Sequence, residues 1–386
     1  MRFFHPFATK LKSLEKDFAV FNTISLSRAA MLHNFDFFSG LLPSGNVIPV
    51  LKSNAYGHGI EQIATILKDR RPPYIAVDGY YEALRVRRVS KQPVLIMGAI
   101  DPTNFARIHL QNYAFVVHDL ATIAAMAASG KQYVVHIEIE TGMHRHGVGR
   151  QELPAFLEQL KLYKNVEVEG VMTHLADADN PASTAHVELQ TQRFDDAVEL
   201  VRRHGFAPRY IHIAQSAGSV KVHSRYANTL RVGIALYGVS PLEPQDGAAS
   251  QLQTLRPVLT LTSTITKIMT VSAGESVSYG RTFTATRNTQ IAVLPLGYYE
   301  GLPRSLSNSG HVTVKDALAP IAGRVCMNHT MIDVTDSAVE VGDRVTVISA
   351  DTTSLQSVQH ICETNKLFNY SLLVGLNQNI RRQVVD

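Results

Sequence analysis

Eight short apolar runs, most of them followed by a stretch with helical spacing, set the strongest limit on what this chain can fold into. They cover residues 47–52, 74–77, 93–97, 114–117, 133–139, 166–173, 210–213 and 231–237. Runs this short and this continuously apolar predict strands buried on both faces, as in a parallel sheet. Between them, residues 59–69, 120–129, 151–162 and 185–204 repeat apolar side chains at helical spacing. Eight strand–helix units in about 250 residues match a (β/α)8 barrel. An open doubly wound sheet is the alternative, and the count of eight favours the barrel. After Pro257 the texture changes. Thr and Val crowd into LTLTSTITKIMTV, HVTVKDALAPIAGRV and DRVTVIS, separated by Gly-containing turns. That pattern predicts a mainly β domain, with one helix over 354–365. The expected division is residues 1–250 for a ligand-binding barrel and 251–386 for the β domain, joined through PLEPQDGAASQ.

Charge excludes some functions. The 37 Lys and Arg against 33 Asp and Glu leave a net charge of +4, with no run of like charges. Nucleic acid and membrane surfaces are therefore not expected partners, whereas a small anionic ligand needs only a local cluster. Cys326 and Cys362 make neither a disulfide framework nor a C-x-x-C metal site, and no metal is expected. The opening MRFFHPFATKLK is a poor secretory signal, and no stretch is long enough to span a bilayer, so a cytoplasmic enzyme is expected.

Lys52 closes the first apolar run, in VIPVLKSNAYGHG. Position alone favours an ordinary surface lysine just past a strand end. At the C-terminal end of a barrel strand, however, apolar walls favour the neutral amine that attacks carbonyl groups. The motif VLKSNAYGHG decides between these readings, because it resembles the cofactor-lysine signature of the alanine racemase family. Further matches follow in order from about Asn22 to about Arg382.

The resemblance implies fold type III, pyridoxal 5′-phosphate as cofactor, a small amino acid as substrate and a homodimer. Lys52 resembles the lysine that carries the cofactor. Tyr56, Ser216 in HIAQSAGS, the backbone at Gly233 and Ile234, and Tyr370 resemble its phosphate contacts. Arg231, opening RVGIALYG, resembles the arginine facing the pyridine nitrogen, and His212 the residue that orients it. A permanent cation there disfavours protonation of that nitrogen, which weakens the electron sink and restrains transamination. Tyr279, in VSYGRTFTA, resembles a second catalytic base supplied by the partner subunit. Moving a proton between the two faces of Cα takes two opposed bases, and tyrosine needs help to act as one near neutral pH. His174, in MTHLAD, resembles the cofactor-site histidine that hydrogen-bonds this tyrosine. Arg145, Met327 and Tyr298 resemble the substrate-binding residues. Alone, Met327 and Tyr298 read equally as β-domain packing.

The chain also departs from the pattern. Glu138 stands where many members carry a lysine whose carbamate faces the motif arginine, which implies that Glu138 holds Arg145 by its own charge. Asn328 replaces aspartate, Gln215 asparagine and Glu300 aspartate, and Ser371 stands where glutamate is usual. The changes near the substrate leave serine or a broader range open beside alanine. The resemblance implies D-alanine supply for peptidoglycan. A related decarboxylase is disfavoured by Arg231, because such enzymes place an acid against the pyridine nitrogen. A single-barrel cofactor carrier is disfavoured by the β domain and Tyr279.

Overall fold

The computed structural model describes residues 18–109 and 112–386, so the opening MRFFHPFATKLK lies outside the described residues. Its first strand, β1 (Thr23–Ser27), runs straight into helix α1 (Arg28–Ser39), whose start is capped by the Ser27 hydroxyl accepting from Ala30 N at 3.1 Å.

All eight expected strands form. They are β2 (Asn46–Pro49), β3 (Ile75–Val77), β4 (Val94–Ile96), β5 (Tyr113–Val117), β6 (Tyr133–Glu138), β7 (Val166–Met172), β8 (Tyr210–His212) and β9 (Thr229–Val232). Strands β3 to β8 pair in parallel in sequence order, and β2 pairs in parallel with β9. Two seams close the ring. Leu51 N donates to Ala76 O at 2.7 Å, joining the end of β2 to β3, and Arg231 N donates to Ala214 O at 3.0 Å across β8 and β9. The result is an eight-stranded parallel barrel. Its strands are short and almost wholly buried, which is why they read as continuous apolar runs rather than alternating ones. The last run was expected to continue to Tyr237. It stops at Val232, and Ile234–Tyr237 forms a 3₁₀ turn, because Gly233 adopts φ −102°, ψ −107°, outside strand geometry.

The second domain is mainly β. Its larger sheet is ordered β16 (Ala317–Pro320), β15 (His311–Val314), β18 (Arg344–Ile348), β10 (Leu259–Thr264), β1, β19 (Arg381–Val385). The strand Thr23–Ser27 therefore belongs to the sheet of the C-terminal half, antiparallel to β10 and parallel to β19. A smaller sheet orders β11 (Lys267–Val271), β14 (Thr289–Leu294) and β17 (Thr330–Asp333), and β12 (Ser276–Val277) pairs with β13 (Phe283–Thr284). Two helices, at Val358–Asn365 and Asn369–Val374, carry the chain back against the barrel. Among the described residues, no helix is long and apolar enough to cross a membrane.

Between β2 and the helix at Ile60–Ile66 lies an unusual segment. Ser53, Asn54, Ala55 and Tyr56 all have φ between 50° and 55°. Ala55 N bonds Leu51 O at 2.8 Å and Gly57 N bonds Ser53 O at 3.1 Å, so this is one left-handed helical turn. L-residues resist that hand by roughly 1–2 kcal/mol each. The surroundings hold it. Arg382 donates to Gly57 O at 3.0 and 2.7 Å, Glu82 accepts from Asn54 N at 3.3 Å, and the Asn54 side-chain Oδ1 accepts from Ile60 N at 3.2 Å. Gly57, at φ 81°, lies so close to the last helix that a Cβ would stand 1.9 Å from Leu373 O. Gly57→Ala is expected to destabilise the fold by at least about 2 kcal/mol, read as a lower urea midpoint. An unchanged midpoint would mean the turn is not clamped as described.

Candidate active site

A cavity of about 510 Å³ opens at the C-terminal ends of the barrel strands, where barrel sites are built. Lys52 enters it directly after β2. One turn later Tyr56 enters from the same side, since residues four apart share a helical face. The left-handed turn thus aims both side chains into one space.

The wall formed by the loops after β8 and β9 is polar. The Ser216 hydroxyl sits among backbone N–H groups, 3.0 Å from Gly233 N and 3.3 Å from Ala235 N. A Cβ on residue 233 would lie 2.4 Å from the Tyr56 hydroxyl, so only glycine lets that hydroxyl meet the backbone. Tyr370, brought by the C-terminal helix, lies with its ring 6.0 Å from that of Tyr56. Burial, then the Asp179 charge, pushes its phenol up to about 12, and burial also raises Tyr56. Two neutral phenols, a hydroxyl and the backbone N–H groups that follow β9 form a donor set suited to a phosphate.

Arg231 forms the floor. Its side chain is 2 % exposed and is held through both terminal nitrogens. Nη1 donates to His212 Nδ1 at 2.9 Å and to His212 O at 2.7 Å, and Nη2 donates to Thr173 O at 2.6 Å. Nη2 also lies 3.4 Å from His174 Nδ1. Burial draws the Arg231 pKa down to about 10, against which the nearby Glu138 charge works, so it remains a cation at neutral pH. The same cation, after burial itself, holds His174 near 3 and His212 well below its usual value.

Glu138 and Arg145 both line the cavity, but no ion pair joins them among the described residues. Glu138, 5 % exposed at the end of β6, acts electrostatically on Arg231. Arg145 is exposed on the loop after β6.

Three expected catalytic and substrate-binding residues are not in this cavity, and His212 lies behind Arg231 without lining it. Tyr279, Met327 and Tyr298 are 70 %, 55 % and 44 % exposed on the β domain. They nevertheless form one group. The Ser278 hydroxyl donates to Arg324 O at 2.7 Å, Tyr298 N donates to Cys326 O at 3.0 Å, and Tyr299 N to Met327 O at 2.9 Å. Beside them Asn328 donates to Glu300 at 2.8 Å, so the carboxylate absent at 328 has a counterpart at 300. Sequence reasoning missed Glu82 and Arg382, which hold the Lys52 turn. Neither lies in a motif that names its partner.

Four histidines carry lowered pKa values because of burial: His58 near 4, His136 and His174 near 3, and His212. Unfolding releases them to about 6.5, so between those limits the unfolded chain binds more protons. Stability should be complete above pH 6.5 and fall as pH drops through it. We expect at least about 3 kcal/mol lost between pH 7 and 5, measured by urea unfolding. A flat profile would contradict the burial of these rings.

The family model for "Alanine racemase, N-terminal domain" matches residues 26–241, and that for "Alanine racemase, C-terminal domain" matches 258–384. The chain is 35% identical over 372 residues to the alanine racemase of Geobacter sp. (strain M21), covering 93% of this chain and 97% of the relative. It is 32% identical over 373 residues to that of Leptospira interrogans, covering 94% and 95%. Alanine racemase from Bacillus anthracis, solved with bound L-Ala-P, superposes with a TM-score of 0.87 at 28% identity over 96% of both chains. The enzyme from Streptomyces lavendulae superposes at 0.88 with 24% identity, a likeness of fold.

Proposed function

Since this chain belongs to the alanine racemase family, whose members depend on pyridoxal 5′-phosphate, we propose that it interconverts L- and D-alanine with Lys52 and Tyr279 as the two bases. The observation that carries this reading is one cavity holding Lys52, a donor set suited to phosphate at its rim and a buried arginine, held through both terminal nitrogens, in its floor. The cofactor fits that set: Ser216, Tyr56, Tyr370 and the backbone at Gly233 and Ile234 would hold its phosphate, Arg231 would face its ring nitrogen, and Lys52 would anchor it. When bound, it supplies an electron sink that acidifies the substrate Cα–H.

This chain's residues then divide the work. Lys52 Nζ takes or returns the proton on one face of Cα, and the Tyr279 hydroxyl does so on the other. Arg231 stays a cation and, facing the ring nitrogen of a bound cofactor, would disfavour its protonation, which would weaken the electron sink and favour return of the proton to Cα. Arg145 and Met327 N–H hold the substrate carboxylate, Tyr298 narrows the approach, and His174, beside Arg231, is the hydrogen-bond partner for the incoming tyrosine hydroxyl. Glu138 balances the charge of Arg231. Lys52 and the exposed Tyr279 group lie in different domains, which supports a head-to-tail homodimer in which each chain completes the other's site. A cytoplasmic place and a role in supplying D-alanine for peptidoglycan belong to the same reading.

The test is a racemisation assay on a panel of L-amino acids with added cofactor. Alanine is expected to lead, with serine, the second reading prompted by Asn328 and Glu300, at least about tenfold slower in kcat/KM. Carbon dioxide release without racemisation would replace the proposal with decarboxylation.

A further inference from the structure

A polar line runs through the barrel interior behind Arg231, and the reaction as derived does not use it. Arg231 Nη1 donates to His212 Nδ1 at 2.9 Å. A guanidinium offers only donors, so that nitrogen must carry a lone pair and the His212 proton must sit on Nε2. His212 Nε2 lies 2.8 Å from His136 Nδ1. The bond can form only if His136 accepts, which leaves the His136 proton on its own Nε2. That atom is buried without a hydrogen-bond partner, 4.0 Å from the Glu169 carboxylate, which also accepts from the Tyr74 hydroxyl. Each of the two bonds fixes the proton of the next ring, from β9 through β8 to β6, and beyond His136 lie the Glu169 carboxylate on β7 and Tyr74 at the entrance of β3.

The backbone makes room for this arrangement. Gly170 on β7 stands in register with His136 on β6, and a Cβ there would lie 2.3 Å from His136 Nδ1. Tyr74 packs edge-on against the His136 ring at 5.3 Å, and Tyr210 stacks on it at 6.1 Å. The ring therefore has one place to sit, with Nδ1 toward His212.

We infer that His136 is a positioning residue for racemisation: by accepting from His212 Nε2–H it holds His212 in the one tautomer that can receive Arg231, and so fixes the aim of the guanidinium. The opposite tautomer would set an imidazole N–H against a guanidinium N–H and turn the arginine away. The inference rests on the racemase reading for its consequence and on the hydrogen bonds alone for its geometry.

Histidine ring ¹⁵N NMR of the apoprotein, paired with kinetics of the loaded enzyme, tests it. His136→Asn keeps an acceptor near Nδ1, whereas His136→Leu removes it. Wild type and His136→Asn are expected to show His212 protonated on Nε2 alone. His136→Leu should show mixed tautomers, kcat lowered at least about tenfold with KM nearly unchanged, and a several-fold larger share of transamination. An unmixed His212 and unchanged transamination share in His136→Leu would overturn the inference, as would His136→Asn being damaged equally. If His136→Leu does not fold, Gly170→Ala displaces the ring without deleting it and takes its place in both assays, with the same outcomes. A locked His212 in a wild-type chain that racemises nothing would overturn the reaction reading, and the tautomer result would still decide the geometry.

Discussion

Lys52→Ala should lower racemisation of alanine by at least about 10⁴-fold while leaving the fold intact. The loss is large because one amine has two duties, anchoring the cofactor and serving one face of Cα. Its structural cost is small, because Lys52 is only partly buried and its side chain points into open space rather than into packed core. The variant should also release the cofactor on desalting, since the phosphate contacts alone would hold it reversibly. Activity above a tenth of wild type would remove Lys52 from the mechanism. A lower melting temperature with retained activity would assign it a structural role in the left-handed turn.

Mixing two inactive variants should restore activity. Tyr279→Phe alone is expected to cost at least about 10²-fold in both directions, since phenylalanine keeps the ring and loses the proton. In a head-to-tail dimer of Lys52→Ala with Tyr279→Phe, one site receives both defects and the other receives neither. Random pairing makes about half of the dimers mixed, so about a quarter of wild-type activity should return on co-expression. If the two bases met within one chain, every site would carry a defect and nothing would return. The exposed position of Tyr279 in this chain, outside the cavity that holds Lys52, is the reason to expect recovery.

The barrel was legible because burial on both faces writes itself into the sequence as short apolar runs, and all eight runs became strands. Thr23–Ser27 was not. Its five residues alternate weakly, and its partners lie more than two hundred residues away, so no local pattern could assign it to the second sheet. The left-handed turn was hidden for a related reason. Ser53, Asn54, Ala55 and Tyr56 include no glycine, and their hand is imposed by Arg382, Glu82 and the close approach of Leu373. Of the site, the motif residues around Lys52, Ser216 and Arg231 converge on one cavity. The line through His136, Glu169 and Tyr74 is silent in sequence, because a histidine inside a strand looks the same whether it locks a tautomer or merely packs.

The pairing of β1 with β19 also sets a timetable. Thr23 lies opposite Arg381, and Ser27 opposite Val385. A ribosome adding about 5–20 residues per second needs on the order of tens of seconds to travel between them. Through that interval β1 has no neighbour on that side, while the barrel behind it can already close. Once β10 has emerged it can pair with one side of β1, and the sheet then keeps an open edge along Thr23–Ser27 until residues 381–385 arrive to cover it.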